Sequence, residues 1–536
     1  MKKLIYLMLG AVISSTSNAD NFKTTTDTSK LYQTIDCFGA SDAWSGAFIG
    51  KWEKARDDAA RMLFSQKFDD CGNPEGIGLT MWRFNMGGGT FEQGEASQIQ
   101  PKKQRRVESF IGKDGKLDFT KASGQQYLMK KAKEYGCTDF VLFSNTPPVQ
   151  MTRNGLGFST TPNTANLQDD KYDDFAEYMV SIAEYFTKQG YNIAFISPCN
   201  EPQVSWTKTY QEGTGWNNSE IKRIAVELDK ALTKRGLDNT KIMISESGRM
   251  QCLYNIEEAV KIRVDTINEK FKNELKIDET EIPGKQIQAF FDPKSPHYVG
   301  DLKHMPKIIA GHEYRSDFTV DHIVNIRKPV PAEAAKYGVK FWQTEWVFVP
   351  QYDGVKTNDI MDPNNYDHMD IAIWMARVIH GDFTIANAHS WQYWKAMEMY
   401  KTGGPALVDG YPINNGDVEG GGAVEGTKIL WGMGNYSFFI RPGYTRIDLT
   451  GAEDLRKVFG SAYISPDKKR IVQVYVNPTY KKHTVSAKVK NWGNIKKVQV
   501  FRTDQRNDLA NTYADEKSTE ITITPRSITT VVIDKE

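Results

Sequence analysis

Short apolar runs alternate with longer stretches of helical spacing along most of the chain. Eight of these runs predict β-strands, at residues 35–39, 80–85, 139–144, 193–197, 241–245, 307–311, 339–343 and 386–392. Between the runs, apolar residues recur at intervals of three and four, as in 172–189 and 220–235, which predicts amphipathic helices. The pattern therefore predicts a repeated strand–loop–helix unit.

Strands that alternate with helices form a parallel sheet with right-handed crossovers. Eight such units are typical of a closed (β/α)8 barrel, or TIM barrel. An open, doubly wound sheet is the competing architecture, and it normally carries a G-x-G-x-x-G turn after an early strand. The segment MGGGT at residues 86–90 follows a strand but lacks that spacing. We therefore predict an α/β barrel over residues 36–435.

The C-terminal part of the chain has a different pattern. From residue 436 the helical period is lost, and turn residues separate the alternating segments RIVQVYVNP, HTVSAKVKNW, KKVQVFRT, TEITITP and ITTVVIDK. This pattern predicts an all-β module over residues 436–536, most simply a β-sandwich. The glycine-rich run at 414–426 precedes the boundary and is predicted to be a long loop of the barrel.

The N-terminus has the three-part layout of a secretory signal peptide. Lys2 and Lys3 precede an apolar stretch at residues 4–13, and small polar residues follow as far as Ala19. The apolar stretch is too short to span a bilayer, so we predict cleavage after Ala19 and no membrane insertion. Residues 1–19 would then direct export to the periplasm or the extracellular space.

Composition and charge narrow the range of partners. Lys plus Arg number 68 against 67 for Asp plus Glu, which argues against nucleic acid as the main partner. Aromatic residues make up 12% of the chain and suit a surface that stacks on sugars. The five cysteines include no C-x-x-C pair, so we predict neither a metal site nor a cofactor. Disulfide pairing and oligomeric state stay open.

Polar and aromatic residues gather where the predicted strands end, which is where functional groups of a barrel lie. The candidates at these ends, with a tryptophan that follows strand four, are Asp42, Trp44, Arg83, Asn145, Asn200, Glu201, Trp206, His312, Tyr314, Glu345 and Trp391. No group among them has metal-ligand spacing. Apart from the two glutamates, these residues are predicted to bind substrate, at a polar mouth that is lined by aromatic rings.

Two carboxylates in this set have a possible chemical use. Hydrolysis of a glycoside needs one carboxyl group to protonate the leaving oxygen and another to attack or stabilise the anomeric carbon. Glu201 and Glu345 follow strands four and seven, which face each other across a barrel. From spacing alone, a structural role for each acid remains equally open, and Glu246 and Glu313 also close strands.

The neighbours of this pair have expected roles. Arg83 would keep the nucleophile ionised, while apolar shielding would hold the acid protonated. Asn200 is placed to donate to a sugar 2-hydroxyl group, and Tyr314 to orient the nucleophile. Trp44, Trp206 and Trp391 are expected to stack on sugar rings, although each could instead be a core residue.

Two other hydrolase classes do not fit the sequence. HEYRS at residues 312–316 begins like the zinc motif H-E-x-x-H, but Ser316 occupies the second histidine position. A serine hydrolase of the α/β type would need a G-x-S-x-G elbow, which the chain lacks.

At five motifs the chain resembles glycoside hydrolase family 30, a group of retaining glycosidases in clan A. The motifs, in the order that the family shows, are FGASDAW (38–44), WRFNMGGGT (82–90), FSNTPPVQMTRNG (143–155), SPCNEPQVSW (197–206) and WQTEW (342–346). The resemblance implies that Glu201 is the acid/base and Glu345 the nucleophile. It also implies that residues 20–35 supply the first strands of a side β-sandwich.

Within the family, the glycine triplet and the SNTPPVQMTRNG stretch look most like endo-β-1,6-galactanases. The leading hypothesis is an exported retaining enzyme that cleaves β-1,6-galactan, as in arabinogalactan side chains. A β-1,6-glucanase, a xylanase, or an exo-acting β-xylosidase or fucosidase of the same family remains the alternative. A carbohydrate-binding protein on an inactive barrel is a further one.

Overall fold

The computed structural model describes most of the chain. Its described residues are 20–100, 103–162, 164–349, 351–352, 355–356, 366–399, 405–413, 418–515 and 518–536. The predicted signal peptide lies outside them. No helix within these ranges is long and apolar enough to cross a bilayer.

Eight parallel strands form the barrel, which confirms the predicted fold class. In chain order they are Cys37–Ser41, Met81–Asn85, Asp139–Phe143, Ile193–Ser197, Lys241–Ile242, Ile308–His312, Lys340–Glu345 and Ser390–Tyr393. Strand eight pairs with strand one and strand seven. Between strands five and six the wall is closed by backbone bonds, from Ala310 N–H to the Ile244 carbonyl (2.8 Å) and from His312 N–H to the Ser247 carbonyl (2.7 Å).

Helices cover the outside of the barrel. The longer ones are Ala55–Phe64, Ser123–Glu134, Tyr172–Lys188, Asn218–Arg235, Ile256–Thr266, Val320–Arg327, Pro329–Tyr337, His368–Thr384 and Lys428–Ser437. Shorter α-helical segments are Gly46–Ile49, Thr90–Gln93 and Gln286–Phe291. The helix Asn218–Arg235 begins at a capping box of Asn217 and Glu220 and ends at Gly236, whose φ of +66° closes the last turn.

Strands five and seven differ from the sequence prediction at their carboxyl ends. Strand five ends at Ile242, three residues before its predicted end, and beyond it Glu246 has a φ of +52°, outside the extended region. Strand seven runs on to Glu345, and a bulge at Thr344 brings Glu345 opposite His312. Both changes turn carboxylates toward the barrel mouth.

The C-terminal module is one mixed sheet of nine strands. Its strands are Asp20–Thr34, Thr445–Thr450, Phe459–Ile464, Arg470–Asn477, His483–Lys490, Ile495–Thr503, Ala510–Asp515, Glu520–Ile523 and Ser527–Lys535. The N-terminal strand pairs antiparallel with Thr445–Thr450 and parallel with His483–Lys490. Ile471 and Ile521 lie far apart in the sheet order yet share one hydrophobic core, so the sheet folds back on itself as a sandwich.

Small sheets occupy the long loops above the barrel. Gly422–Gly426, within the predicted glycine-rich loop, pairs with Val408–Pro412, which also pairs with Met397–Glu398. A short hairpin joins Gln351–Tyr352 to Val355–Lys356. The glycine-rich run is therefore part strand rather than all loop, while its residues 414–417 lie outside the described ones.

A buried ion network ties the outer helices to strands six and eight. The Arg327 guanidinium donates to Asp382 (Nε to Oδ1, 2.7 Å) and to the Glu313 carboxylate, and all three side chains are fully buried. Trp391 completes the network by donating from Nε1 to Asp382 Oδ2 (2.8 Å). Neutralising this cation would leave two buried carboxylates without their partner.

We predict that Arg327→Met destabilises the fold by about 3–5 kcal/mol, the range for breaking a buried ion pair from one side. Urea unfolding followed by circular dichroism measures this change. Lys336→Met is the matched control, because its ion pair with Glu333 is at the surface and should contribute little. Equal stability of the two variants would contradict the structural role of the network.

Candidate active site

The carboxyl ends of the barrel strands surround a cavity of about 390 Å³. Six of the predicted site residues line it: Trp44, Asn200, Glu201, Trp206, Tyr314 and Glu345. The volume lies in the range of about 300–1,000 Å³ that is usual for small-molecule sites.

Glu201 is turned into this cavity by the backbone that follows strand four. Its φ is +45°, and its N–H donates to the Glu246 carbonyl (2.8 Å). The Trp206 indole N–H donates to the Glu201 carbonyl (3.2 Å). Gly248 makes room alongside, since a Cβ there would lie 3.3 Å from the Glu201 Cβ. The Glu201 side chain is 13% exposed, which leaves it accessible to a ligand.

Glu345 stands at the end of strand seven with both carboxylate oxygens bonded. The Tyr314 hydroxyl donates to Oε1 (2.6 Å), and Arg83 donates from Nη1 to Oε2 (3.0 Å). Hydrogen bonds to an ionised acceptor are short and strong. Both donors therefore stabilise and orient the negative charge on Glu345.

Arg83 crosses the barrel interior and joins two acids. Its Nη2 donates to Glu246 Oε1 (3.2 Å), while the guanidinium lies 4.4 Å from the centre of the Phe143 ring. Burial alone would raise the pKa of Glu246, but Arg83 and His312 lower this pKa to about 2. Glu246 is therefore an ionised acid at neutral pH, beneath the cavity, and it also accepts from the hydroxyls of Ser197 and Thr344.

His312 lies among three carboxylates. Its Nδ1 is 3.2 Å from Glu201 Oε1, and its Nε2 is 3.2 Å from Glu246 Oε2 and 3.5 Å from Glu345 Oε2. Burial alone would lower the pKa of His312, but the charge of Glu345 and the hydrogen bonds to Glu201 and Glu246 raise it to about 10. The ring is therefore an imidazolium that donates hydrogen bonds on both sides.

The charges of this cluster balance when Glu201 is protonated. Arg83 and His312 are cations opposite the anions Glu246 and Glu345. Burial raises the pKa of Glu201, and the charge of Glu345 adds to the rise, whereas His312 and Arg249 oppose it. The arrangement thus gives a proton donor beside an ionised carboxylate.

Glu201, His312 and Glu345 also form a set of the ligand types that metals use. One ligand atom from each lies within 4.8 Å of the others. An imidazolium has no lone pair to offer a metal, and both ring nitrogens of His312 already face carboxylates. The protonated cluster therefore does not fit a resident metal ion.

Four predicted substrate-binding residues lie beneath the cavity wall, which corrects their expected direct contact with a ligand. Arg83 and His312 are fully buried against the acids. Asp42 is buried and accepts from the Asn85 N–H (2.9 Å), and burial raises its pKa to about 7. Trp391 is fully buried and donates a hydrogen bond to Asp382, so it is a core residue and cannot stack on a sugar.

Two predicted amides have side-chain atoms without a protein partner among the described residues. They are Oδ1 of Asn200, which lines the cavity, and Nδ2 of Asn145, which is buried. A buried amide that lacks a partner is costly unless a ligand or water supplies one. Their roles toward substrate stay predictions.

Trp394 is one aromatic residue of the cavity that the sequence analysis does not identify. It lines the cavity and packs edge to face on Trp44, with ring centroids 5.2 Å apart. Strand eight ends at Tyr393, one residue beyond the predicted end, so the ring that follows the strand is Trp394. Trp44 is covered on another side by Arg105, whose guanidinium lies 4.4 Å from its ring. Tyr210 was also missed because it lies in the long loop after strand four, away from any strand end.

Comparisons of the sequence with known proteins find related enzymes. An endo-β-1,6-galactanase from Hypocrea rufa is 29% identical over 249 residues, which are 43% of this chain and 50% of that protein. The glucuronoxylanase XynC from Bacillus subtilis is 24% identical over 351 residues, 65% of this chain and 63% of that protein. The chain thus spans about half to two-thirds of these relatives.

The crystal structure of a conserved exported protein from Bacteroides fragilis superimposes with a TM-score of 0.83 at 32% identity, covering 95% of this chain and all of that one. The sequence profile of O-glycosyl hydrolase family 30 matches residues 21–276 and 272–408, which together are most of the barrel. With its barrel, its side sandwich and its paired acids, the chain belongs to O-glycosyl hydrolase family 30.

Proposed function

We propose that the protein hydrolyses a glycosidic bond with retention of configuration, with Glu345 as nucleophile and Glu201 as acid/base. The separation of the two acids carries this proposal, because a carboxylate oxygen of each lies within 4.8 Å of the other. Retaining enzymes hold their two carboxyl groups about 5–5.5 Å apart, whereas inverting enzymes leave about 6.5–9.5 Å for a water molecule.

In the first step, Glu345 attacks the anomeric carbon while Glu201 gives its proton to the leaving oxygen. The bond to that oxygen breaks, and a glycosyl ester forms on Glu345. Glu201 becomes a carboxylate in this step, and the imidazolium of His312, 3.2 Å away, stabilises the new charge.

In the second step, Glu201 takes a proton from water as the water oxygen bonds to the anomeric carbon. The ester breaks, and Glu345 leaves as a carboxylate onto the waiting donors of Tyr314 and Arg83. These donors are in place before the reaction, so no reorganisation is needed as the charge returns.

The proposed substrate is β-1,6-galactan, cleaved within the chain outside the cell. The identity with the Hypocrea rufa galactanase supports the linkage, and the rings of Trp44, Trp206 and Trp394 suit stacking on sugars. The signal-peptide pattern at the N-terminus supports export. A xylanase is the second candidate, because the longer match is to a glucuronoxylanase.

We predict that the protein releases short oligosaccharides from β-1,6-galactan, with β-1,6-glucan and glucuronoxylan as competing polymers. Proton NMR of the first product should show the retained β-anomer. Glu345→Gln should lose roughly 10³-fold or more of the rate, since no covalent intermediate can form. Release from glucuronoxylan alone would discard the galactan assignment and keep the mechanism. An α-anomer as first product would exclude the mechanism.

The variant Glu201→Gln distinguishes the role of the proton donor from that of the nucleophile. It should slow cleavage of galactan by about 10²–10⁴-fold, but slow the first step much less on an aryl glycoside whose leaving group needs no proton. A pre-steady-state burst of the aryl alcohol measures that step. Equal losses on both substrates would count against Glu201 as the acid.

The pH profile tests the contact between His312 and Glu201. Activity falls on the alkaline side as Glu201 loses its proton, and His312 stays charged there because its pKa is about 10. His312→Gln removes a cation that lowers the pKa of Glu201, so the alkaline limb of kcat/KM should move up by roughly one pH unit.

Tyr314→Phe is the control for that shift. It removes a donor to Glu345 but none to Glu201, so the rate should fall while the alkaline limb stays in place. A downward shift in His312→Gln, or the same shift in both variants, would refute the assigned contact.

A further inference from the structure

A second cavity of about 350 Å³ lies between the barrel and the sandwich. It shares no lining residue with the first. Gly78, which precedes strand two, and Ile35, which precedes strand one, hydrogen-bond to Arg441 and to the backbone of Tyr444 in its wall. The cavity therefore lies at the end of the barrel where strands begin, opposite the active site.

Phenylalanine rings from both parts of the molecule form one wall. Phe68 packs edge to face on Phe438, with centroids 5.1 Å apart, and lies 6.1 Å from the ring of Phe501. Phe439 joins Phe501 at 4.6 Å. Phe68 remains 49% exposed, which is unusual for so large an apolar ring in contact with a core. The wall thus offers an aromatic face at the surface.

Arg441 supplies an uncompensated positive charge beside these rings. Its Nη1 donates to the backbone carbonyls of Ser437 (2.8 Å) and Gly78, and among the described residues no carboxylate forms an ion pair with it. Burial lowers its pKa to about 10, and only Cys137 and Tyr444 act in the opposite direction. By contrast, Arg470 in the same cavity is held by Asp534 through two bonds, of 2.6 and 3.0 Å.

Amide side chains complete the lining. Gln66, Gln499 and Asn511 all face the cavity, and Oδ1 of Asn511 is buried without a partner in the described part of the chain. Gln499 and Phe501 are two residues apart on one strand, so they project from the same face of the sheet. A half-buried cation, an exposed ring and several amides therefore converge on one space.

We propose that this cavity is a second carbohydrate site that binds a hexuronate unit of a glycan. The carboxylate of such a unit would pair with Arg441, its C–H face would stack on Phe68, and its hydroxyls would bond to the amides. A neutral sugar would leave the guanidinium without a counter-ion, and a bare anion would leave the ring and amides unused. The proposal does not depend on which polymer the active site cleaves.

Calorimetric titration of the full chain with glucuronate and galacturonate tests the proposal, with galactose and acetate as comparison ligands. Both hexuronates should bind the wild type more tightly than either comparison ligand. Phe68→Ala and Arg441→Gln should each weaken hexuronate binding by about tenfold, the usual effect of losing one charge-assisted or stacking contact. Melting temperatures confirm that each variant is folded.

Tyr480→Ala is the matched control, because Tyr480 is an aromatic residue of the sandwich that is 82% exposed and does not line the cavity. Its hexuronate affinity should equal that of the wild type. If Arg441→Gln does not fold, Arg441→Lys replaces it in the test. Arg441→Lys keeps the positive charge and should retain part of the hexuronate affinity. Phe68→Ala tests the site independently of the two Arg441 variants.

Three results would overturn the proposal. One is the absence of hexuronate binding to the wild type, and another is unchanged affinity in Phe68→Ala and the folded Arg441 variant. The third is acetate or galactose binding as tightly as the hexuronates, which would mean a bare anion site or a neutral-sugar site. Hydrolysis by the active site is measured separately, so its loss would leave this test intact.

Discussion

The pairing of buried charges beneath the barrel mouth constrains the rest of the site. Arg83 and His312 are cations with no access to water, and they face the carboxylates of Glu246, Glu345 and Glu201. A buried charge without a partner is strongly unfavourable, so each member depends on the others. Strands two, five, six and seven are thereby held in fixed relation at their carboxyl ends.

This constraint explains backbone features that local preference would not select. Glu201 and Glu246 both have positive φ values, 45° and 52°, which are unfavourable for residues with long side chains. The bulge at Thr344 interrupts the ladder between strands six and seven. Each irregularity turns a carboxylate toward the cations. The energy that favours the charge pairs therefore offsets the local strain.

The sequence predicts the barrel well because strand–helix alternation is a long-range pattern that small errors do not destroy. It predicts side-chain direction less well, because a shift of one residue in a strand moves a side chain to the opposite face. The pattern ends strand eight at residue 392, one residue early, and points to Trp391 rather than Trp394. Glu201 and Glu345 each lie in a distinctive motif, which singles them out in the sequence, and the structure places both at the cavity.

Other errors arose where tertiary contacts decide the outcome. The sequence prediction omits three strands of the sandwich, Thr445–Thr450, Phe459–Ile464 and Ala510–Asp515. Each is only six residues long, and each is defined by its pairing with neighbouring strands. His312 looked like a substrate ligand from its place at a strand end. Only the structure shows that acids from strands four, five and seven enclose it.

The segment His312–Glu313–Tyr314 shows how one strand end serves both chemistry and stability. Successive side chains point to opposite sides, so His312 and Tyr314 face the acids of the active site while Glu313 faces outward to Arg327. The outward contact fixes the backbone through the helix Val320–Arg327 and Asp382. The positions of the two inward donors are thus set by an ion network that no substrate reaches. The position of the proposed catalytic acids therefore depends partly on contacts at the far side of the barrel wall.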